Sequence, residues 1–234
     1  MNFHTRIHTP EQLDNLSLSG NELQKTLLSL KLINFLFGNH RQLTKSVLEF
    51  CSTHPTKETF HIVDLGCGGG DSIHQISKKL QQKNIRASFT GIDGNPESIA
   101  YAKSQYSKEN IIKFEVKDIM DINFEIPDCD LIISSHFIYH FEDKALIQFI
   151  NNIKSKKTKH IIFSELYRSK IAYVLFKFSS FILPISAIAK KDGLLAIKRA
   201  FTIRELRSIF NNSDVKNFRI YKKIWFRTIV KIDL

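Results

Sequence analysis

The sequence predicts an α/β fold: an open, mostly parallel sheet with helices on both faces. Three observations predict it. Apolar runs of strand length alternate with helix-length segments from about Phe60 to Glu165. The run Asp130 to His136 is apolar enough for a central strand buried on both faces. Near the end of the chain, Phe218 to Trp225 and Thr228 to Ile232 are β-like and too close together for a crossover helix. Two such strands must pair antiparallel, so the parallel sheet should carry one antiparallel strand at its end.

Within that frame the elements follow in order. Met1 to Leu18 is a polar lead-in, and its His4 and His8 read as ordinary surface histidines because no third metal ligand stands near. Leu23, Leu27, Leu30, Asn34 and Phe37 follow helical spacing, as do Leu43, Val47 and Phe50. Gly38-Asn39 separates them into two helices. Residues 1–55 are therefore expected to form an N-terminal helical cap, with Asn34 or Arg41 as residues that could face a site. The main domain should run from 56 to 234. It opens with strand His61-Ile62-Val63, the glycine-rich stretch Asp64 to Asp71 and helix Ser72 to Gln82. Strand Ala87 to Asp93 follows, then a helix opened by Pro96 and strand Ile112 to Asp118; Pro is tolerated in a first helical turn because its missing N–H is not needed there. After the central strand come helix Glu142 to Ile153, strand Ile161 to Glu165, an apolar helical insertion over 168–200, and helix Thr202 to Asn211. Thr202 precedes Glu205 as in a capping box.

Composition sets the bounds. A chain of 234 residues, 43% hydrophobic and 24% charged, can bury a substantial core. The formal net charge of +11 fits an anionic partner. Its lysines are scattered, however (Lys78-Lys79, Lys154 to Lys159, Lys190-Lys191, Lys222-Lys223), which reads as a solvated surface and not as a nucleic-acid arm. Cys51, Cys67 and Cys129 are odd in number and widely spaced, pointing to free thiols in a reducing, cytoplasmic compartment and away from a disulfide framework or a metal site. Met1 to Gln12 lacks an apolar signal core.

Only nine glycines occur in the chain, and four of them are Gly66, Gly68, Gly69 and Gly70. A strand, a glycine turn and a helix bring backbone close to a bound small molecule. A dinucleotide loop would read GxGxxG, with an apolar residue where Asp64 stands; here the sixth position is Asp71. A phosphate disfavours a neighbouring carboxylate, whereas Asp64 suits a cation such as the amino and sulfonium end of S-adenosylmethionine. Asp93, ending the second strand, can accept from both ribose hydroxyls, and Asp118, ending the third, from the adenine amino group.

Asp64-x-Gly66-x-Gly68-x-Gly70, Asp93 and Asp118-Ile119 resemble three motifs of the class I S-adenosylmethionine-dependent methyltransferases. The resemblance implies a Rossmann-like, seven-stranded, mostly parallel sheet with the last strand antiparallel. It also implies a cofactor site at Asp64, Gly66, Cys67, Gly68, Asp93, Gly94, Asp118, Ile119, Ser134 and Ser135. More narrowly, Ser135 to Phe141, Glu165 to Ser169, Lys191 to Gly193 and Arg199 to Thr202 are similar to small bacterial methyltransferases encoded beside aromatic polyketide synthases. In those relatives a first histidine of a pair often stands where this chain has Tyr139.

On the acceptor side, a phenol must lose its proton, and histidine, with an ordinary pKa of about 6.5, suits the task. His140 is the candidate base, with Tyr139 and His136 beside it; if the strand continued, His136 and His140 would point the same way. Ser134-Ser135-His136-Phe137 stands in place of the Asn/Asp-Pro-Pro-aromatic motif of amino-methylating nucleic-acid enzymes. Arg168, Asp192 and Arg199 either orient acceptor oxygens or form structural ion pairs. The apolar stretch Ile171 to Ala189 approaches membrane-spanning length, but Lys177, Ser179-Ser180 and Pro184 argue against spanning. It reads as core packing, as a lid over a lipophilic acceptor, or as a face dipping into an anionic membrane. The expected activity is O-methylation of a lipophilic phenolic or polyketide-type small molecule, in secondary metabolism; the alternatives are an RNA methyltransferase and a cofactor-binding protein without transfer activity.

Overall fold

The structure is a computed structural model that describes residues 3–121, 123–154, 158 and 160–234. Lys156, Lys157 and Lys159 of the lysine run therefore lie outside the described residues. Among those described, seven strands form one sheet in the order β3-β2-β1-β4-β5-β7-β6. They are β1 (Phe60–Leu65), β2 (Ala87–Asp93), β3 (Ile112–Val116), β4 (Leu131–Ser135), β5 (His160–Leu166), β6 (Asn217–Lys223) and β7 (Arg227–Asp233). The β1–β2, β2–β3, β1–β4 and β4–β5 pairs are parallel. β7 runs antiparallel to both β5 and β6. The expected fold class is the one observed.

Alternation along the strands sorts the core into two layers. Val63 and Leu65 of β1 and Ile132 of β4 pack with α5 (Asp143–Lys154) and α8 (Ile203–Asn211) on one face. Ile62, Leu131 and Ile133 pack on the other, against α2 (Asn39–Ser52) and α3 (Asp71–Gln82). α2 thus belongs to the packing layer of the sheet. α1 (Gly20–Leu36) packs against both α2 and α4 (Pro96–Gln105). Asn95 starts α4 by accepting from the Glu97 and Ser98 N–H groups, two donors that no helical carbonyl can satisfy.

The insertion is two helices, α6 (Lys170–Ile182) and α7 (Ala187–Arg199), because Pro184 and its neighbours cannot continue the first. Ser169 and Ser186 cap their N-termini. Ala172, Tyr173 and Phe176 of α6 and Ala189 and Ile197 of α7 close on Ile33 of α1 in a third, smaller core. The outer side of α6 is left bare, with Phe181 76% and Ile182 85% exposed. No helix among the described residues is long and apolar enough to cross a membrane.

The lead-in, residues 3–18, is tied across the sheet's carboxyl edge. Arg168 donates to the Phe3, His4 and Ala200 carbonyls and to Glu205. Arg6 donates to the Arg199, Tyr139 and Phe141 carbonyls and to Asp143, its guanidinium stacked on Phe201. Asp192 accepts from the Gln12 and Leu13 N–H groups at 3.0 Å each.

Candidate active site

A cavity of about 550 Å³ runs over the carboxyl ends of β1, β2 and β4 and continues beneath α1, α6 and α7. Its first half is built from strand ends. β1 stops at Leu65 and the chain turns through Gly66, whose φ of 73° is open to glycine without strain. A Cβ there would also come within 2.8 Å of the Phe137 ring. Gly66 and Cys67 both donate to the Ile92 carbonyl, and Gly68 donates to Asp93 Oδ2 at 2.9 Å, so the glycine turn is held to the end of β2. Asp93 Oδ1 accepts from Asn95. Burial raises the Asp93 carboxyl, with those two backbone bonds pulling the other way.

Asp64 lies beneath the turn, 2% exposed, and its Oδ1 has no hydrogen-bond partner among the described residues. Burial first, and then the charges of Asp71 and Asp93, push its pKa well above the ordinary carboxylate range. A buried acid in that condition is stabilised by a cation brought alongside. Asp71, which also lines the cavity, is already paired with His40 and sits 3.5 Å from the Asn34 amide.

Of the ten residues expected to hold a cofactor, nine line this cavity. Ser134 does not: it is fully buried and its Oγ donates to the Leu65 carbonyl at 2.7 Å, tying β4 to β1. Asp118 lines the cavity from beyond β3, which ends two residues earlier than expected, at Val116, and turns its side chain back to the Met120 N–H. Asn34 reaches the cavity wall, whereas Arg41 is exposed elsewhere.

β4 does not continue through His136. That residue has a φ of 57°, and the chain then enters a 3₁₀ turn, Ile138–His140. The reason lies on β5: Glu165 Oε1 accepts from the Phe137 and Ile138 N–H groups and takes them out of strand pairing. His136 and His140 therefore do not share a direction by strand alternation. His136 is half-buried against Arg227, and desolvation with that neighbouring charge holds its pKa far below the usual value. Glu165 is itself raised to about 7 by burial, against the pull of its two backbone bonds, and its Oε2 is unpartnered.

His140 faces the cavity from the turn, its ring tilted against Tyr139 with centroids 4.4 Å apart and Nδ1 2.9 Å from Asp14 Oδ1. Burial would raise Asp14, but the hydrogen bond and charge of His140, with Arg199, hold it at about 2. Nδ1–H is thereby committed to Asp14, and Nε2 is the ring nitrogen left to accept a proton. Tyr139 is buried and its hydroxyl donates toward Glu11 Oε2 at 3.4 Å. Burial drives Glu11 to about 8 against the pull of Arg199. The ligand atoms of Glu11, Asp14 and His140 lie within 4.8 Å of one another, a spacing compatible with a cation. Arg199 Nη1 already fills that role, 3.1 Å from Glu11 and 2.8 Å from Asp14.

Arg168 and Arg199 thus serve ion pairs and backbone carbonyls and do not reach the cavity wall, while Asp192 lines it with both oxygens occupied by backbone. Asp14, Glu11 and Arg227 line the cavity without having been singled out from the sequence. The first two lie in the polar lead-in, and the third follows an aromatic pair in the C-terminal hairpin.

The sequence profile of a family described as a methyltransferase domain matches residues 56–225, most of the chain, which belongs to that family. Over 118 residues the chain is 26% identical to ajmaline N-methyltransferase of Rauvolfia serpentina, covering 49% of this chain and 39% of that enzyme. The chain thus spans well under half the length of that relative. Among solved structures it is similar to magnesium protoporphyrin IX methyltransferase of Synechocystis PCC 6803 with bound SAH. That match has a TM-score of 0.53 at 16% identity and covers 94% and 92% of the two chains. It is also similar to a plantazolicin methyltransferase in complex with SAH, with a TM-score of 0.61 at 17% identity, covering 91% and 95%. At these identities the likeness is one of fold.

Proposed function

We propose that the protein O-methylates a lipophilic phenolic or polyketide-type small molecule, with His140 as the base. The observation that carries this reading is one continuous cavity with the glycine turn and its acids at one end and an apolar chamber at the other, and with the His140–Asp14 pair on its wall. The chamber is walled by Ile33, Phe37, Leu166, Phe176, Ile197 and Trp225. Such walls favour an apolar acceptor over a nucleic-acid backbone, which needs exposed cations at the site.

S-adenosylmethionine, when bound, supplies a methyl carbon carried on a positive sulfur. Asp64 would neutralise its cationic end, Asp93 would accept from the ribose hydroxyls and Asp118 from the adenine amino group. Gly66, Cys67, Gly68, Gly94, Ile119 and Ser135 would provide the surface on which it lies. Its sulfur would keep the electron pair of the bond to the methyl carbon when the acceptor oxygen takes that carbon. The phenol proton passes to Nε2 of His140. Asp14 fixes the ring and stabilises the charge it gains, as an orienting carboxylate does for other histidine bases. Tyr139 packs under the ring and His136 helps shape the chamber. Excluding water and aligning the groups supply much of the remaining rate.

A screen of phenolic and lipid extracts for a mass gain of one methyl group, run with an RNA control, tests the reading. Methylated phenols are expected; turnover on RNA alone, or no product with any extract, overturns it.

The bare side of α6 supports a further partner, an anionic membrane surface from which such acceptors would be drawn. Ile171, Phe178, Phe181 and Ile182 are exposed there beside Lys170 and Lys177, a combination suited to lying in a lipid interface. Co-sedimentation with phosphatidylglycerol vesicles should be lost in the double variant Phe181→Ser, Ile182→Ser. Equal sedimentation of the two proteins would remove the membrane from the account.

A further inference from the structure

The acceptor chamber contains a charge that the reaction as described does not use. Arg227, the first residue of β7, is 1% exposed and lines the cavity. Its Nε donates to the Phe37 carbonyl at 3.3 Å, and one Nη pairs with His136. The other has no partner among the described residues, and no described carboxylate lies within 4.0 Å of the guanidinium. Glu165 acts on it only from a distance, since Oε1 is committed to the Phe137 and Ile138 N–H groups. Burial lowers Arg227 to about 9, so it still carries its charge at neutral pH. A buried cation without a contacting anion is costly, and proteins keep such groups where a ligand completes them.

The turn that delivers this residue carries a second cost. β6 and β7 are joined by Ile224-Trp225-Phe226, and Trp225 and Phe226 have φ values of 59° and 54°. Bulky residues are disfavoured in that region, and Asn or Gly is the usual choice in a tight hairpin. Strain of this kind gathers at ligand-binding positions. Both aromatic side chains line the chamber beside Arg227, with Trp225 packed edge-on to Phe37 at 5.9 Å.

We infer that Arg227, Trp225 and Phe226 form an anion subsite within the acceptor chamber, and that the acceptor is an aromatic molecule bearing a carboxylate as well as the group that is methylated. Arg227 binds the carboxylate through its spare donors while Trp225 and Phe37 flank the ring system. The carboxylate is an anchor that fixes which hydroxyl reaches His140. This deepens the proposed function and rests on its placing of the acceptor.

The test uses 6-hydroxy-2-naphthoate and its uncharged counterpart 6-hydroxy-2-naphthamide, with the full chain saturated with S-adenosylhomocysteine. Binding is read by calorimetry and by the fluorescence of Trp225, the chain's one tryptophan. The acid should bind about tenfold or more tighter than the amide, as a charge-assisted hydrogen bond predicts. Arg227→Gln should erase the difference while leaving S-adenosylhomocysteine affinity unchanged, and Arg227→Lys should keep part of it. Equal affinity of acid and amide for the unaltered protein overturns the inference without recourse to any variant, as does no measurable binding of the acid. A preference that survives in Arg227→Gln overturns it as well. Methyl transfer to the probe hydroxyl is scored separately. Acid preference without transfer leaves the subsite standing and removes the phenol reading; transfer without acid preference does the reverse.

Discussion

The two halves of the cavity are made differently. The cofactor half rests on the ends of three adjacent strands, with backbone donors of the glycine turn bonded to Ile92 and Asp93. Its parts are close in sequence and rigid by virtue of the sheet. The acceptor half is walled by helices and by the lead-in, and its polar groups are held by side chains reaching across the chain. Glu11 meets Arg199 188 positions away, and Arg168 meets the carbonyl of Phe3 165 away. A local, sheet-borne half can keep one ligand constant across many proteins, while a half assembled from distant side chains is free to change its acceptor.

That contrast can be broken at several points. The largest effect is expected from His140→Ala, which should lower kcat by roughly 10²–10⁴ through loss of the base. S-adenosylmethionine affinity by calorimetry should stay level, and unchanged kcat would reduce the acceptor half to positioning alone. Asp93→Ala should weaken S-adenosylmethionine binding by roughly 10–100-fold, the worth of a charge-assisted pair of hydrogen bonds. Undiminished affinity would mean that the cofactor lies elsewhere.

Glu165→Gln probes the carboxyl that sets the turn at Phe137 and Ile138. The carboxyl is ordinarily near 4.5 and is held at about 7 in the fold. Between those values the folded protein keeps a proton that the unfolded chain releases, so stability falls as pH rises from about 4.5 to about 7. Gln keeps the acceptor for Phe137 and Ile138 but does not ionise. Denaturant melts at pH 5 and pH 8 should show the variant gaining about 2 kcal/mol on the wild type at the higher pH. A pH-independent difference would show that Glu165 does not ionise over this range. The smallest effect belongs to Asp14→Asn, which preserves a hydrogen-bond acceptor for His140 but removes the charge. About a tenfold loss in kcat with an intact cofactor Kd is expected from kinetics and calorimetry, and equal kcat would sever the lead-in from the chemistry.

The same contrast explains what could be read in advance. Asp64, Gly66, Gly68, Asp93 and Asp118 announce themselves because each sits at or just past a recognisable strand end. The sheet and its antiparallel β7 were legible from the apolar runs and the shortness of the final connection. Asp14 was not, because a lone acid in a polar segment carries no signal until folding sets it against His140. The end of β4 was misjudged for a comparable reason: the turn at His136 is dictated by Glu165 on another strand. Trp225 read as strand by its β-preferring side chain, and only the pairing of Lys223 with Arg227 turns it into a hairpin tip. Arg227 itself reads as one more basic residue in a lysine-rich tail.

The lead-in also sets an order of assembly. The lead-in is made 165–185 positions before its anchors Arg168, Asp192 and Arg199. Arg6 closes onto the Arg199 carbonyl across 193 positions. Contacts of such long range repay their loop-closure entropy only after the elements between them are in place. Until α6 and α7 are made, the lead-in therefore lacks these anchors, including the Arg199 guanidinium that joins Glu11 to Asp14. At that stage the glycine turn is already complete, while the half of the cavity that faces it is not.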